Sequence, residues 1–217
     1  MKKQAYIAGA TPLGYYEINR SELLDLRAWK GGEHVLDIGC GAGGNASYLR
    51  AKGVRLLTGI EVLPEMASRA RTVFDEVLEG TVEARLADVP EPPDVVIAAD
   101  VLEHTIDPLA VLLELRKVAT SATELLVSLP NVRHVSVLCM LVLRGNWSYR
   151  DSGIMDRTHL RWFTRRSALE LLAAGGWRVD IVEPKFNTPK QVRWNARTRG
   201  RAVEFLAEQL IFRCRLA

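Results

Sequence analysis

The segment HVLDIGCGAGG, residues 34–44, holds the first residues whose types and spacing could do chemistry. Gly39, Gly41 and Gly44 satisfy the G-x-G-x-x-G spacing, which lets a strand turn sharply into a helix and leaves no side chain in a ligand's way. Glu61 ends the next predicted strand, where a carboxylate can accept two hydrogen bonds from a ribose diol. These residues suit a dinucleotide, and they suit other adenosine-bearing cofactors equally well. Asp37 separates the two. Two residues before the first glycine, at a strand's end facing the loop, it would repel a pyrophosphate and favour a cationic amino-acid ligand. Two further candidates for proton transfer are His104, which follows Glu103, and His159, in the stretch MDRTHLRWF.

These residues need a scaffold, and the chain supplies strands alternating with helices, the signature of an α/β parallel sheet covered on both faces. Strands are expected at 34–38, 55–61, 76–79, 94–99 and 124–129, with DVVIAA reading as a buried central strand. Helices are expected at 45–52, ended by Gly53, at 64–74, opened by Pro64, and at 108–119, capped by Asp107. Asp37, Glu61 and Glu103-His104 then fall at the carboxyl ends of strands one, two and four, where ligands bind in such sheets. Residues 132–163 begin with an apolar helix-like piece and continue as the polar, aromatic loop RGNWSYRDSGIMDRTHLRWF. Thr164 caps a helix to residue 174, a sixth strand spans 177–182, and a helix is expected at 201–208. QLIFRCRL, residues 209–216, could continue that helix or form a seventh strand. A strand is favoured, with Leu210, Phe212 and Cys214 on one face and Arg213 and Arg215 on the other.

At this point the chain resembles the class I S-adenosylmethionine-dependent methyltransferases. Their first motif, D-x-G-x-G-x-G, is matched by Asp37, Gly39, Gly41 and Gly43, and the resemblance covers residues 15–182. S-adenosylmethionine carries a sulfonium and an ammonium and no phosphate, which agrees with Asp37. The resemblance implies a Rossmann-like, doubly wound seven-stranded sheet, mostly parallel with an antiparallel last strand. It also implies a single domain over 1–217, with 132–163 as a substrate lid. Asp37, Gly39, Cys40 and Gly41 would line the methionine end of the cofactor. Glu61 would hold the ribose hydroxyls, with Val62 beside the adenine. Thr81 and Val82 occupy the position where the family often carries an acid for the adenine amino group, Asp88 being the alternative. Asp100 and Val101, in ADVLEH, match the motif that closes the site beneath the methionine moiety. Tyr15, Tyr16 and Arg20 resemble the segment that folds over the cofactor carboxylate; an ordinary amphipathic helix is the other reading.

Methyl transfer from a sulfonium needs an aligned nucleophile, exclusion of water and, for a hydroxyl, removal of a proton. Here the chain looks like the ubiquinone-pathway O-methyltransferases and the small-RNA 2′-O-methyltransferases. By that resemblance Asp100, Glu103, His104 and His159 would hold a divalent metal, Mg or Mn, although the first acidic position is usually Glu. Carboxylate and imidazole ligands together also suit Zn, and such a metal acidifies a bound hydroxyl. The alternatives are that Glu103-His104 caps the next helix and that His159 is a loop histidine or a metal-free general base. The GIMDRTHLRWFT stretch resembles methyltransferases of surface-polysaccharide and secondary-metabolite pathways. A small-molecule or glycan acceptor is therefore expected, with Trp162 and Phe163 packing the lid. N-methylation of an amine and, further off, NAD-dependent oxidoreduction are the competing activities.

Bulk properties narrow the partners. A net charge of +3 does not by itself imply nucleic acid. The three cysteines form no CxxC pair, which fits a reducing cytoplasm. No apolar stretch is long enough to span a bilayer. Residues 185–201 carry Lys185, Lys190, Arg193, Arg197, Arg199 and Arg201 and no acid. Such a run is usually a solvated linker, and it could instead meet phosphates of a nucleotide-linked or lipid-linked substrate. No RNA-binding module accompanies it, so nucleic acid is disfavoured. Both a monomer and a homodimer are compatible with the sequence.

Overall fold

The computed structural model describes residues 19–217; Tyr15 and Tyr16, expected near the cofactor carboxylate, lie outside them. Its strands are β1 (His34–Ile38), β2 (Leu56–Glu61), β3 (Glu76–Glu79), β4 (Val95–Ala99), β5 (Glu124–Pro130), β6 (Trp177–Lys185) and β7 (Gln209–Leu216). They form one sheet in the order β3-β2-β1-β4-β5-β7-β6. β1 to β5 pair in parallel, while β7 inserts between β5 and β6 and runs antiparallel to both. The chain therefore winds outward from β1 in one direction and from β4 in the other. Their adjacent carboxyl ends make the switch-point crevice where open α/β sheets bind ligands.

Alternation along the strands explains the two-sided core. Leu36 and Ile38 of β1 join Val96, Leu125, Phe212 and Trp177 in one apolar cluster. Val35 faces the other way, with Leu57, Ile97, Leu126 and Leu49. Asp37 shares Val35's side of the strand, so its carboxylate is carried to the top of the second layer, beneath the glycine loop. β1 and β4 are short, apolar and buried along nearly their whole length, as strands covered on both faces must be.

Several boundaries differ from expectation. The helix opened by Pro64 ends at Ala70, and turns carry the chain on through Phe74. The helix expected over 201–208 is the single turn Val203–Leu206, because its neighbours feed β7. The basic run is not a plain linker: β6 extends to Lys185, and Pro189–Arg197 is a helix with a capping box between Thr188 and Gln191. Residues 132–163 leave β5, form the helix Val135–Leu138 with a π-helical continuation Cys139–Leu143, and return as a long loop. That excursion is closed at its base, where Val132 donates its N–H to the Phe163 carbonyl at 2.9 Å. Among the described residues no helix is long and apolar enough to cross a membrane.

Candidate active site

The glycine loop is built by left-handed backbone. Gly39, Gly41 and Gly43 have φ of 64°, 56° and 91°, a region costly for residues bearing a Cβ. Gly44 is not among the positive-φ glycines. The strained positions thus follow the D-x-G-x-G-x-G pattern rather than the dinucleotide spacing. A Cβ on Gly39 would meet Val101 Cγ2 at 2.7 Å, so this glycine also lets the turn after β4 approach the loop.

Asp37 is 1% exposed, and its carboxylate accepts a hydrogen bond from Asn45 Nδ2 at 3.0 Å. Burial pushes its pKa up to about 7, and the neighbouring Glu61 carboxylate adds to the rise; Asn45 and Arg20 oppose it. Glu61 accepts hydrogen bonds from the Gly41 and Leu63 backbone N–H groups, both at 2.8 Å. Burial raises its pKa too, against the pull of those bonds. Asp37 and Glu61 thus place two buried carboxylates beneath the glycine loop. Such a pair suits a ligand that brings positive charge and hydroxyl donors. Thr81 and Val82 directly follow β3 and Gly80. Asp88 is instead paired with Arg85.

Asp100 adopts φ 55°, unusual for a residue with a side chain. It is fixed from three directions: Arg20 Nη2 lies 2.7 Å from its Oδ2, while Ser128 Oγ and Gln209 Nε2 donate to its Oδ1. Arg20 also donates its backbone N–H to Asn45 Oδ1. One arginine thereby links the turn after β4 to the residue that holds Asp37.

Glu103, His104 and His159 come together: a ligand atom of each lies within 4.8 Å of the others. The Glu103 carbonyl accepts hydrogen bonds from the Leu160 and Arg161 N–H groups, which straps the end of the 132–163 excursion onto the turn after β4 and delivers His159. The two imidazoles pack edge to face with centroids 4.8 Å apart. His104 Nδ1 donates to the Thr158 carbonyl at 3.2 Å and His159 Nδ1 to the Ile154 carbonyl at 3.0 Å. A carbonyl can only accept, so both neutral rings carry their proton on Nδ1 and keep a lone pair on Nε2. Burial lowers the pKa of both, and for His159 the neighbouring His104 lowers it further. Glu103 is 1% exposed, its Oε2 has no hydrogen-bond partner among the described residues, and burial raises its pKa well above the usual range, with Asp100 adding to the rise. Asp100 does not join this group, since both its oxygens are engaged elsewhere.

The sequence profile of the methyltransferase domain matches residues 15–181. The chain belongs to this methyltransferase family. It is a class I S-adenosylmethionine-dependent methyltransferase, and the dinucleotide reading is set aside. Ubiquinone biosynthesis O-methyltransferase of Xylella fastidiosa is 26% identical over 176 residues, covering 74% of this chain and 70% of that protein. The Pseudomonas putida enzyme of the same name is 32% identical over 108 residues, 45% of each chain. Among solved structures, an S-adenosylmethionine-dependent methyltransferase from Archaeoglobus fulgidus superposes with a TM-score of 0.66 at 17% identity, covering 94% of both chains. One from Mesorhizobium loti gives 0.63 at 15% identity, covering 90% of this chain and 96% of that one. At these identities the structural likeness speaks for the fold.

Sequence reasoning missed several supporting residues of the methyltransferase. Asn45, Ser128, Gln209 and Thr158 each hold a charged or titratable site group in place. Asn45 alone left a local signal, a helix-capping residue type directly after the glycines. The others act across the fold, where spacing along the chain gives no clue.

Proposed function

We propose that this methyltransferase transfers a methyl group to a hydroxyl of a small-molecule or sugar acceptor, handled at Glu103, His104 and His159, in a cytoplasmic pathway. The cofactor would lie over Gly39–Gly43, with Asp37 near its cationic methionine end, Glu61 at the ribose, Val62, Thr81 and Val82 toward the adenine, and Cys40 and Val101 lining the loop. When bound, S-adenosylmethionine supplies an electrophilic methyl on a sulfonium. The protein's work is then to align an acceptor oxygen and take its proton.

The observation that carries the reading is the Glu103 Oε2, without a hydrogen-bond partner among the described residues, beside the His104 and His159 imidazoles. Histidines that donate Nδ1–H to a carbonyl are oriented as metal-ligating histidines are. A buried carboxylate with no partner fits a cation, which would reverse the burial-driven rise in its pKa. Glu103, His104 and His159 would hold Mg or Mn, and the ion's chemistry would be to acidify an acceptor hydroxyl. Asp100 would serve the cofactor side. Without an ion, either Nε2 can act as general base. The likeness to ubiquinone biosynthesis O-methyltransferases supports oxygen as the target. The lid would cover the acceptor: Trp147 and Tyr149 pack around Trp162, with Phe163 buried beneath.

The test is a screen of phenols, sugars and amines with methyl-labelled cofactor, followed by location of the label in the product. Label on oxygen, lost in His159→Ala and strongly reduced in His104→Ala, is expected. Label only on nitrogen, with both variants fully active, would refute the proposal.

A further inference from the structure

The helix Pro189–Arg197 is inside out. Its partly shielded positions are Gln191, Asn195 and Thr198, spaced four and three residues apart on one stripe. Gln191 lies 3.2 Å from His134 across that stripe, and none of the helix residues is buried. An ordinary surface helix turns apolar residues inward. Here Val192 is 51% and Trp194 48% exposed, and Lys190, Arg193 and Arg197 form an outward stripe beside them. Arg199 and Arg201 extend the charge. Among the described residues none of these five cations is in an ion pair, and no carboxylate lies in the chain between Lys185 and Glu204.

The lid continues the surface. His134, which touches Gln191, caps the lid helix, and Arg133 pairs with Glu204 and stacks on Phe205, joining the two elements. From there the lid presents Val142 at 74% and Leu143 at 77% exposure, flanked by Arg144 and followed by Trp147 and Tyr149. A watery surface gives such residues nothing. Arg197 lies over the Trp194 ring, 5.6 Å from its centroid; cations without a carboxylate partner beside exposed tryptophan and aliphatic side chains match a bilayer interface, which offers anionic headgroups and apolar depth together.

We propose that the helix Pro189–Arg197 and the lid tip 141–150 form a docking surface for an anionic lipid bilayer. The surface adjoins the carboxyl edge of the sheet, because the helix and the lid both leave and rejoin it there, between Pro130, Lys185 and Gln209. Docking would set the lid against the lipid, whichever acceptor the site takes.

The experiment is flotation of the full chain with vesicles of phosphatidylcholine alone and of phosphatidylcholine mixed with phosphatidylglycerol. Binding is expected only to the mixed vesicles, weakening with salt, with a blue shift of tryptophan emission. Each cation neutralised should cost about fivefold in partitioning, so Lys190→Gln/Arg193→Gln/Arg197→Gln should lose about a hundredfold. Val142→Ser/Leu143→Ser should weaken binding without changing its salt dependence. Unchanged S-adenosylmethionine affinity shows that each variant is folded. Equal binding to both vesicles, no binding to either, or undiminished binding by the cation variant would overturn the proposal. So would single-stranded RNA binding that displaces the vesicles, or a dimer that forms through this face and leaves it unavailable to lipid.

Discussion

At the scale of single residues, Asp37, if it meets the cofactor as proposed, would make cofactor binding pH-sensitive. Its pKa in the folded protein stands at about 7 because burial penalises the charge. A cationic ligand favours the ionised form, so binding must drive a proton off Asp37 wherever the free protein still holds it. Affinity for S-adenosylmethionine should therefore rise with pH up to about 7 and then level off. Calorimetry in buffers of different ionisation enthalpy should detect proton release below that point. Stability has the opposite sign. A folded-state pKa above the ordinary carboxylate value means that ionisation costs folded stability, so Asp37 lowers stability as pH climbs from near 4 to about 7. Asp37→Asn should remove that decline and weaken the cofactor by about ten- to a hundredfold, the scale of a lost charged contact. Equal affinity in the variant at pH 8 would show that the cofactor's charge lies elsewhere.

At the scale of elements, the site depends on the fit between the glycine loop and the turn after β4. Gly39→Ala places a Cβ at φ 64° and 2.7 Å from Val101 Cγ2. The backbone strain should cost about 1–2 kcal/mol, and the clash should add to it. In denaturant titrations Val101→Ala should recover the clash part and leave the backbone part. Full recovery would mean that the left-handed turn is not what demands glycine. Elements also show what the sequence made legible. β1 and β4 were readable because both faces are buried and their apolar runs are continuous. β7 was readable because Leu210, Phe212 and Cys214 alternate with Arg213 and Arg215, although Ile211 on the arginine side is buried as well. The helix Pro189–Arg197 was not, although Thr188-Pro189 and Gln191 spell a capping box, because its inward stripe is polar and no apolar period marks it. Asp100 and His159 were picked out by residue type. Their separation, with Asp100 bound to Arg20, Ser128 and Gln209 while His159 meets Glu103, is a tertiary fact that one-dimensional spacing does not contain.

At the scale of the whole molecule, the sheet's reversal between β1 and β4 brings two chemically different sites side by side. One is an anionic cradle of Asp37 and Glu61 under the glycine loop. The other is the Glu103, His104 and His159 cluster, completed only when the lid returns from β5 across the turn after β4. Under the proposed function the arrangement would divide the labour: the Rossmann-like half would hold the methyl donor, and His159 would come from the 132–163 excursion as base or ligand. It also separates Asp100 from the cluster. Asp100→Asn, which tolerates left-handed φ, should reduce cofactor affinity and leave metal binding intact. The most direct measurement is a titration of the protein with Mn(II) followed by electron paramagnetic resonance, which needs no acceptor. The wild type and Asp100→Asn should each bind one ion per chain, with release of protons, while Glu103→Gln and His159→Ala should lose it. A wild type that binds no ion, or a Glu103→Gln variant that binds as tightly, would contradict a cation at this cluster and leave proton removal to its side chains alone.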